Sequence, residues 1–142
     1  MVQRVTSARV TVDGEVVGEI GAGLCVLVGV THTDGDREAD ALADKLVHLR
    51  VMDDEAGVMN LSVLAAGGAV LIVSQFTLYG DTSRGRRPSW IAAARPHHAE
   101  PLIERVVEGV RAAGVEVATG RFRADMQVAL VNDGPVIVTL EL

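Results

Sequence analysis

Two stretches, Leu24–Val30 and Ala69–Ser74, are apolar at almost every position, and each follows glycine, at Gly23 and at Gly67-Gly68. Runs this short and uniform lack the one-sided stripe of a surface helix and fit strands covered on both faces. Two such strands require a layer of chain on each side of them. One layer is legible as helix: Ala39, Leu42, Ala43, Leu46 and Val47 recur at helical spacing, as do Leu102, Ile103, Val106, Val107 and Val110. Asp34 or Asp36 is the expected cap of the first helix. Pro96 and Pro101 bracket the start of the second, and Gly114 is its natural stop.

The other layer is β. Val2–Val12 alternates loosely, Asp13-Gly14 is a hairpin turn signal, and Glu15–Ile20 is the expected return strand. Arg50-Val51-Met52, Met59–Val63 and Val115–Ala118 read as further short strands, and Met126–Val131 and Val136–Leu140 as a closing pair. The expectation is one α+β domain over residues 1–142. Its sheet is predominantly antiparallel and barrel-like, with two principal helices packed on it. No repeat, linker or Gly-rich phosphate loop appears, which argues against Rossmann and P-loop folds.

Asn132-Asp133-Gly134-Pro135 separates the closing pair. Asn-Asp-Gly is a tight-turn signal, because Gly and Asn tolerate positive φ. Pro135 complicates that turn, since it has no N–H for a ladder and restricts Gly134. Either the segment is a sheet edge or the Gly134–Pro135 peptide is held in an unusual shape for a purpose.

The chain carries a net charge of −6, which argues against indiscriminate nucleic-acid binding. Residues 76–97 invert that balance, with Arg84, Arg86, Arg87 and Arg95 against Asp81 alone, and Phe76, Tyr79 and Trp90 lie in the same window. This is the pattern of a local docking site for a phosphate-bearing ligand or an RNA end. The competing reading is a solvated arginine loop beside core aromatics, which residue type alone favours somewhat. No apolar run approaches the roughly 20 residues of a membrane span. The N-terminus has no signal-peptide core, and one cysteine cannot form an internal disulfide, so a cytoplasmic location is expected.

Candidate chemistry is sparse. Cys25 lies inside an apolar strand and reads as a small buried hydrophobe. His32, His97 and His98 show no metal-ligand spacing, so neither a metal nor a cofactor is expected. Ser74 and Thr77, at a strand exit, are candidate nucleophiles, but no nucleophile elbow or triad spacing accompanies them. The alternative, that both hydroxyls satisfy backbone groups at the strand exit, is slightly favoured by the sequence. A third role uses backbone: the amides of Phe76 and Thr77, having left the ladder, can face a developing oxyanion, while Phe76 offers a ring on which a base stacks.

Ser74-Gln75-Phe76-Thr77-Leu78, Tyr79-Gly80-Asp81 and Gly85-Arg86-Arg87-Pro88-Ser89-Trp90 resemble the D-aminoacyl-tRNA deacylases. So do Gln3-Arg4-Val5, Val12-Asp13-Gly14, Met59–Val63, Thr119–Phe122, Ala124-Asp125-Met126 and Asn132–Pro135, in the same order along nearly the whole chain. The resemblance implies a homodimeric editing hydrolase without a cofactor. Such an enzyme cleaves the ester between a D-amino acid and the terminal ribose of tRNA, and removes glycine mischarged onto alanine tRNA. It implies that Ser74, Gln75, Phe76, Thr77 and Leu78 form one wall of the pocket. Phe76 would lie against the terminal adenine, and the Phe76 and Thr77 amides would serve the ester carbonyl. Gly134 and Pro135 would be a Gly–cis-Pro pair that enters the partner subunit's site and rejects L side chains. Arg84, Arg86 and Arg87 would meet the tRNA. Catalysis is assigned to the tRNA's own 2′-hydroxyl, with Thr77 as nucleophile the alternative. The sequence departs from the family pattern at Ile137, commonly Thr, at Arg123, commonly a small residue such as Gly, and in a slightly shorter start.

Overall fold

A computed structural model describes residues 1–142. The chain runs β1 (Val2–Val12), β2 (Glu15–Ile20), β3 (Gly23–Val28), α1 (Asp36–His48), β4 (Met52–Asp53), β5 (Met59–Leu61), α2 (Val63–Ala66), β6 (Ala69–Ser74), a 3-10 turn (Phe76–Tyr79), α3 (Pro96–Ala112), β7 (Glu116–Thr119) and β8 (Gln127–Val138). The two apolar runs are the middle of the sheet: β3 and β6 lie side by side and parallel, from Gly23 opposite Ala69 to Val28 opposite Ser74. β7 continues parallel beyond β6, while β1 pairs antiparallel with β2, β3 and β8.

Strand alternation explains why these runs are apolar up to Ser74 at the end of β6. Leu24, Val26, Val70 and Ile72 face α1 and α3, packing with Ala43, Leu46, Val47, Val106 and Val110. Cys25, Leu71 and Val73 point the other way, into a second cluster with Val5, Val10 and Ile20, which β1 and β2 supply. The sheet curls until β2 meets β7. A Cβ built on Gly18 would stand 2.1 Å from the Thr119 carbonyl oxygen, so only glycine fits this closure. Gly18→Val is expected to destabilise the fold by about 2–3 kcal/mol, read as a lower urea midpoint, because backbone must move to admit it.

The Asp13-Gly14 turn forms as expected, with φ of 50° and 79°, joining Val12 to Glu15. Four expectations are corrected. The closing segment is not a hairpin: β8 is one continuous strand along β1, with its register shifting where Asn132–Pro135 passes Gln3 to Val5. The insertion bulges the strand and does not reverse it, because β1 is long enough to pair with both halves. A third helix, α2, is present, since Ser62 accepts a hydrogen bond from the Ala65 amide at 3.0 Å and caps a turn in a stretch that alternation assigns to strand. Pro101 lies inside α3 and does not mark its start. Neither Asp34 nor Asp36 caps α1: Gly35 is the cap, its amide donating to the Glu38 carboxylate at 2.8 Å, while Asp34 accepts from the Thr31 amide.

Candidate active site

Past Ser74 the Gln75 amide makes the last bond to β3, donating to the Val28 carbonyl at 2.8 Å, and the chain then tightens into the 3-10 turn. Within that turn the Leu78 and Gly80 amides donate to the Gln75 and Thr77 carbonyls. The Phe76 and Thr77 amides head the turn, where no intrahelical acceptor exists. The Thr77 hydroxyl accepts from the Gln75 side-chain amide, and neither it nor the Ser74 hydroxyl touches a carboxylate or imidazole.

A cleft of about 1020 Å³ opens beside this strand exit. Ser74, Gln75 and Phe76 line one side, Trp90–Pro96 a second, and Phe122–Met126 a third. The cleft is at the upper end of the roughly 300–1,000 Å³ usual for small-ligand sites. Phe76 is 56% exposed and meets Trp90 edge to face, with ring centroids 5.6 Å apart. A ring held at its edge and open on its face is a stacking platform. The Trp90–Arg95 wall is pinned to the end of β3 by the Thr31 hydroxyl donating to the Ala92 carbonyl at 2.6 Å, by His32 on the Ile91 carbonyl and by the Ala94 amide on the Val30 carbonyl.

Thr77 and Leu78 stand just outside this lining, exposed on the same turn. Arg84, Arg86 and Arg87 occupy an exposed loop closed by paired Asp81–Ser89 backbone bonds of 2.8 Å, away from the cleft lining. Gly134 and Pro135 are also absent from the lining; they sit exposed on β8, joined by a cis peptide, with Gly134 at φ 122°. One chain therefore does not bring its two signature motifs together. Burial pushes the Cys25 thiol up to about 11, which leaves it protonated and unreactive at neutral pH.

The residue that side-chain chemistry alone does not single out is Arg4. It is 7% exposed, and with Gln3 it forms the whole buried polar set. Its guanidinium donates to the Asp133 carbonyl at 3.1 Å, the Val51 carbonyl at 2.9 Å and the Asp53 carboxylate at 3.1 Å. Arg4 thus ties the bulge of β8 to the end of α1 and to β4. Gln3-Arg4 between the apolar Val2 and Val5 was the available signal, though Arg9 of the same strand is exposed.

These features make a cleft lined by backbone and walled by aromatic rings. The family model for D-Tyr-tRNA(Tyr) deacylase matches residues 1–141. A D-aminoacyl-tRNA deacylase of Symbiobacterium thermophilum is 60% identical over 99% of this chain and 93% of its own, and one of Geobacillus is 55% identical over the same shares. A solved structure described as a c-Myc DNA unwinding element binding protein superposes with a TM-score of 0.92 at 39% identity, covering 99% of this chain and 96% of that one. Another, of a probable eukaryotic D-amino acid tRNA deacylase, shares the fold with a TM-score of 0.82 at 16% identity, over 94% and 93%. The chain belongs to the D-Tyr-tRNA(Tyr) deacylase family.

Proposed function

We infer that the chain is a D-aminoacyl-tRNA deacylase, a hydrolase that releases the amino acid from the terminal ribose of tRNA. Family membership over residues 1–141, with both signature segments intact, carries this reading. In the finer reading the terminal adenine stacks on Phe76 in the cleft, and the Phe76 and Thr77 amides polarise the ester carbonyl. Gly134 and Pro135 of a second copy close the site, their neighbouring carbonyls accepting bonds from the substrate's ammonium. An L side chain collides with that wall and a D side chain points away from it. Glycine has nothing to reject, so glycyl-tRNA(Ala) is also a substrate. Rejection by collision requires a rigid wall more than a reactive group.

The homodimer is supported by β8, whose one ladder is with β1, and whose Val131 and Ile137 side chains are 55% and 48% exposed. No helix is long and apolar enough to cross a membrane. Arg84, Arg86 and Arg87 are free to reach the tRNA body.

The absence of a base at Thr77 favours attack assisted by the tRNA 2′-hydroxyl over Thr77 as nucleophile. Thr77→Ala should then keep single-turnover deacylation within about tenfold of the parent, whereas removal of a true nucleophile costs about 10⁴ or more. A substrate ending in 2′-deoxyadenosine should be cleaved far more slowly by both proteins. Loss of turnover in Thr77→Ala, with normal cleavage of the deoxy substrate, would reverse the assignment.

A further inference from the structure

Two arginines on the cleft have no partner within the chain. Arg95 immediately precedes α3 and Arg123 sits on the turn before β8; both are exposed and both line the cleft with Phe76 and Phe122. The chain's ion pairs engage Arg4, His48 and Arg105 instead. Asp125 is the one acidic residue of the lining, so the cleft is net positive on an acidic protein.

Arg123 also stands at the second central position of a turn closed by the Ala124 amide donating to the Arg121 carbonyl at 3.1 Å, a position that favours glycine. It and Asp13 are the only non-glycine residues at positive φ, and Asp13 serves the β1–β2 turn. Arg123 holds φ 65°, a conformation that disfavours a side chain by about 1–2 kcal/mol. The turn accounts for this φ but not for the side chain, which glycine would spare; a guanidinium unpaired within the chain and held at a cleft at that cost fits a ligand contact. The ligand's chemistry follows from the surroundings: aromatic rings for a base, and guanidinium groups for phosphate oxygens.

We propose that Arg123, with Arg95, binds the phosphate that joins the terminal nucleotide of the tRNA acceptor end to its neighbour. The inference rests on the deacylase reading and adds a contact inside the cleft, distinct from the arginines of the 84–87 loop. It also gives a reason for Arg at a position whose backbone suits glycine.

Arg123→Gly is the informative variant, because it removes the charge while fitting the φ, and its urea midpoint should equal or exceed that of the parent. Two substrates separate the outcomes: D-tyrosyl-tRNA, and 3′-D-tyrosyl-adenosine, which has no phosphate. Under single turnover, Arg123→Gly should raise the half-saturating protein concentration for the tRNA by about fivefold to tenfold, the worth of one charge-assisted contact. The log–log salt slope should become shallower by about 0.7, as for one phosphate contact on a single strand. Arg123→Lys should recover most of both. The phosphate-free substrate should lose its disadvantage relative to the tRNA by the same factor. Equal effects on the two substrates, or an unchanged salt slope, would overturn the phosphate contact while leaving the deacylase reading intact. If the parent protein cleaves neither substrate, the deacylase reading itself fails and the inference goes with it.

Discussion

Arg4→Ala is expected to lower the free energy of unfolding by about 2–4 kcal/mol and to remove most deacylation. The loss has two parts. Val51 is 9% exposed, and its carbonyl would lose the Arg4 hydrogen bond, leaving a buried acceptor without its partner. The Asp133 carbonyl and the Asp53 carboxylate would lose the same donor, so β4 and the bulge of β8 would no longer be held to one point. Arg4→Lys should not rescue, because one ammonium at the end of a flexible stem cannot span three acceptors in the geometry of a planar guanidinium. Chemical denaturation and single-turnover deacylation check both halves. Parent-like stability in Arg4→Ala would show that the buried guanidinium is not the tie described here.

Gly134→Ala is expected to fold and to deacylate about 10²-fold more slowly, the scale of loss from displacing a positioned group by about an ångström. At φ 122° a side chain is strained by about 1–3 kcal/mol. The added Cβ would also stand 2.9 Å from the Val136 side chain, 3.0 Å from the Val136 amide nitrogen and 3.2 Å from the Arg4 guanidinium. Since Arg4 is fixed by its other bonds, the exposed Gly134–Pro135 segment must yield, and that segment is the proposed wall of the partner's site. The effect should therefore fall on activity more than on stability. Parent-like turnover would remove Gly134 and Pro135 from the site.

The sheet and its helical cover were legible because burial on both faces leaves an unmistakable record in β3 and β6, as does helical spacing in α1 and α3. The final strand departs from the expected hairpin for a physical reason. Asn-Asp-Gly encodes the positive φ of a turn, and a bulge uses the same conformational freedom as a hairpin. Only the length of β1, which presents partners on both sides of the bulge, decides between them. The proposed site rests on a resemblance carried by Ser74–Leu78 and Asn132–Pro135, and side-chain chemistry barely marks it. Backbone amides and carbonyls leave no compositional trace. Arg4 is not distinguishable by residue type from Arg9, the exposed arginine of the same strand, until its acceptors at Val51, Asp53 and Asp133 are known. Arg123 is the reverse case: its departure from the family pattern was visible in the sequence, while its φ of 65° needed the fold.

The central claim, that this chain is an editing hydrolase selective for the D configuration, is tested most directly by the chirality of its product. Purified protein incubated with D-tyrosyl-tRNA and, separately, with L-tyrosyl-tRNA should release D-tyrosine at enzyme concentrations that leave the L ester intact, a discrimination of at least about 10³-fold if collision with a rigid wall is its basis. Equal release from both esters, or release from neither, would contradict it.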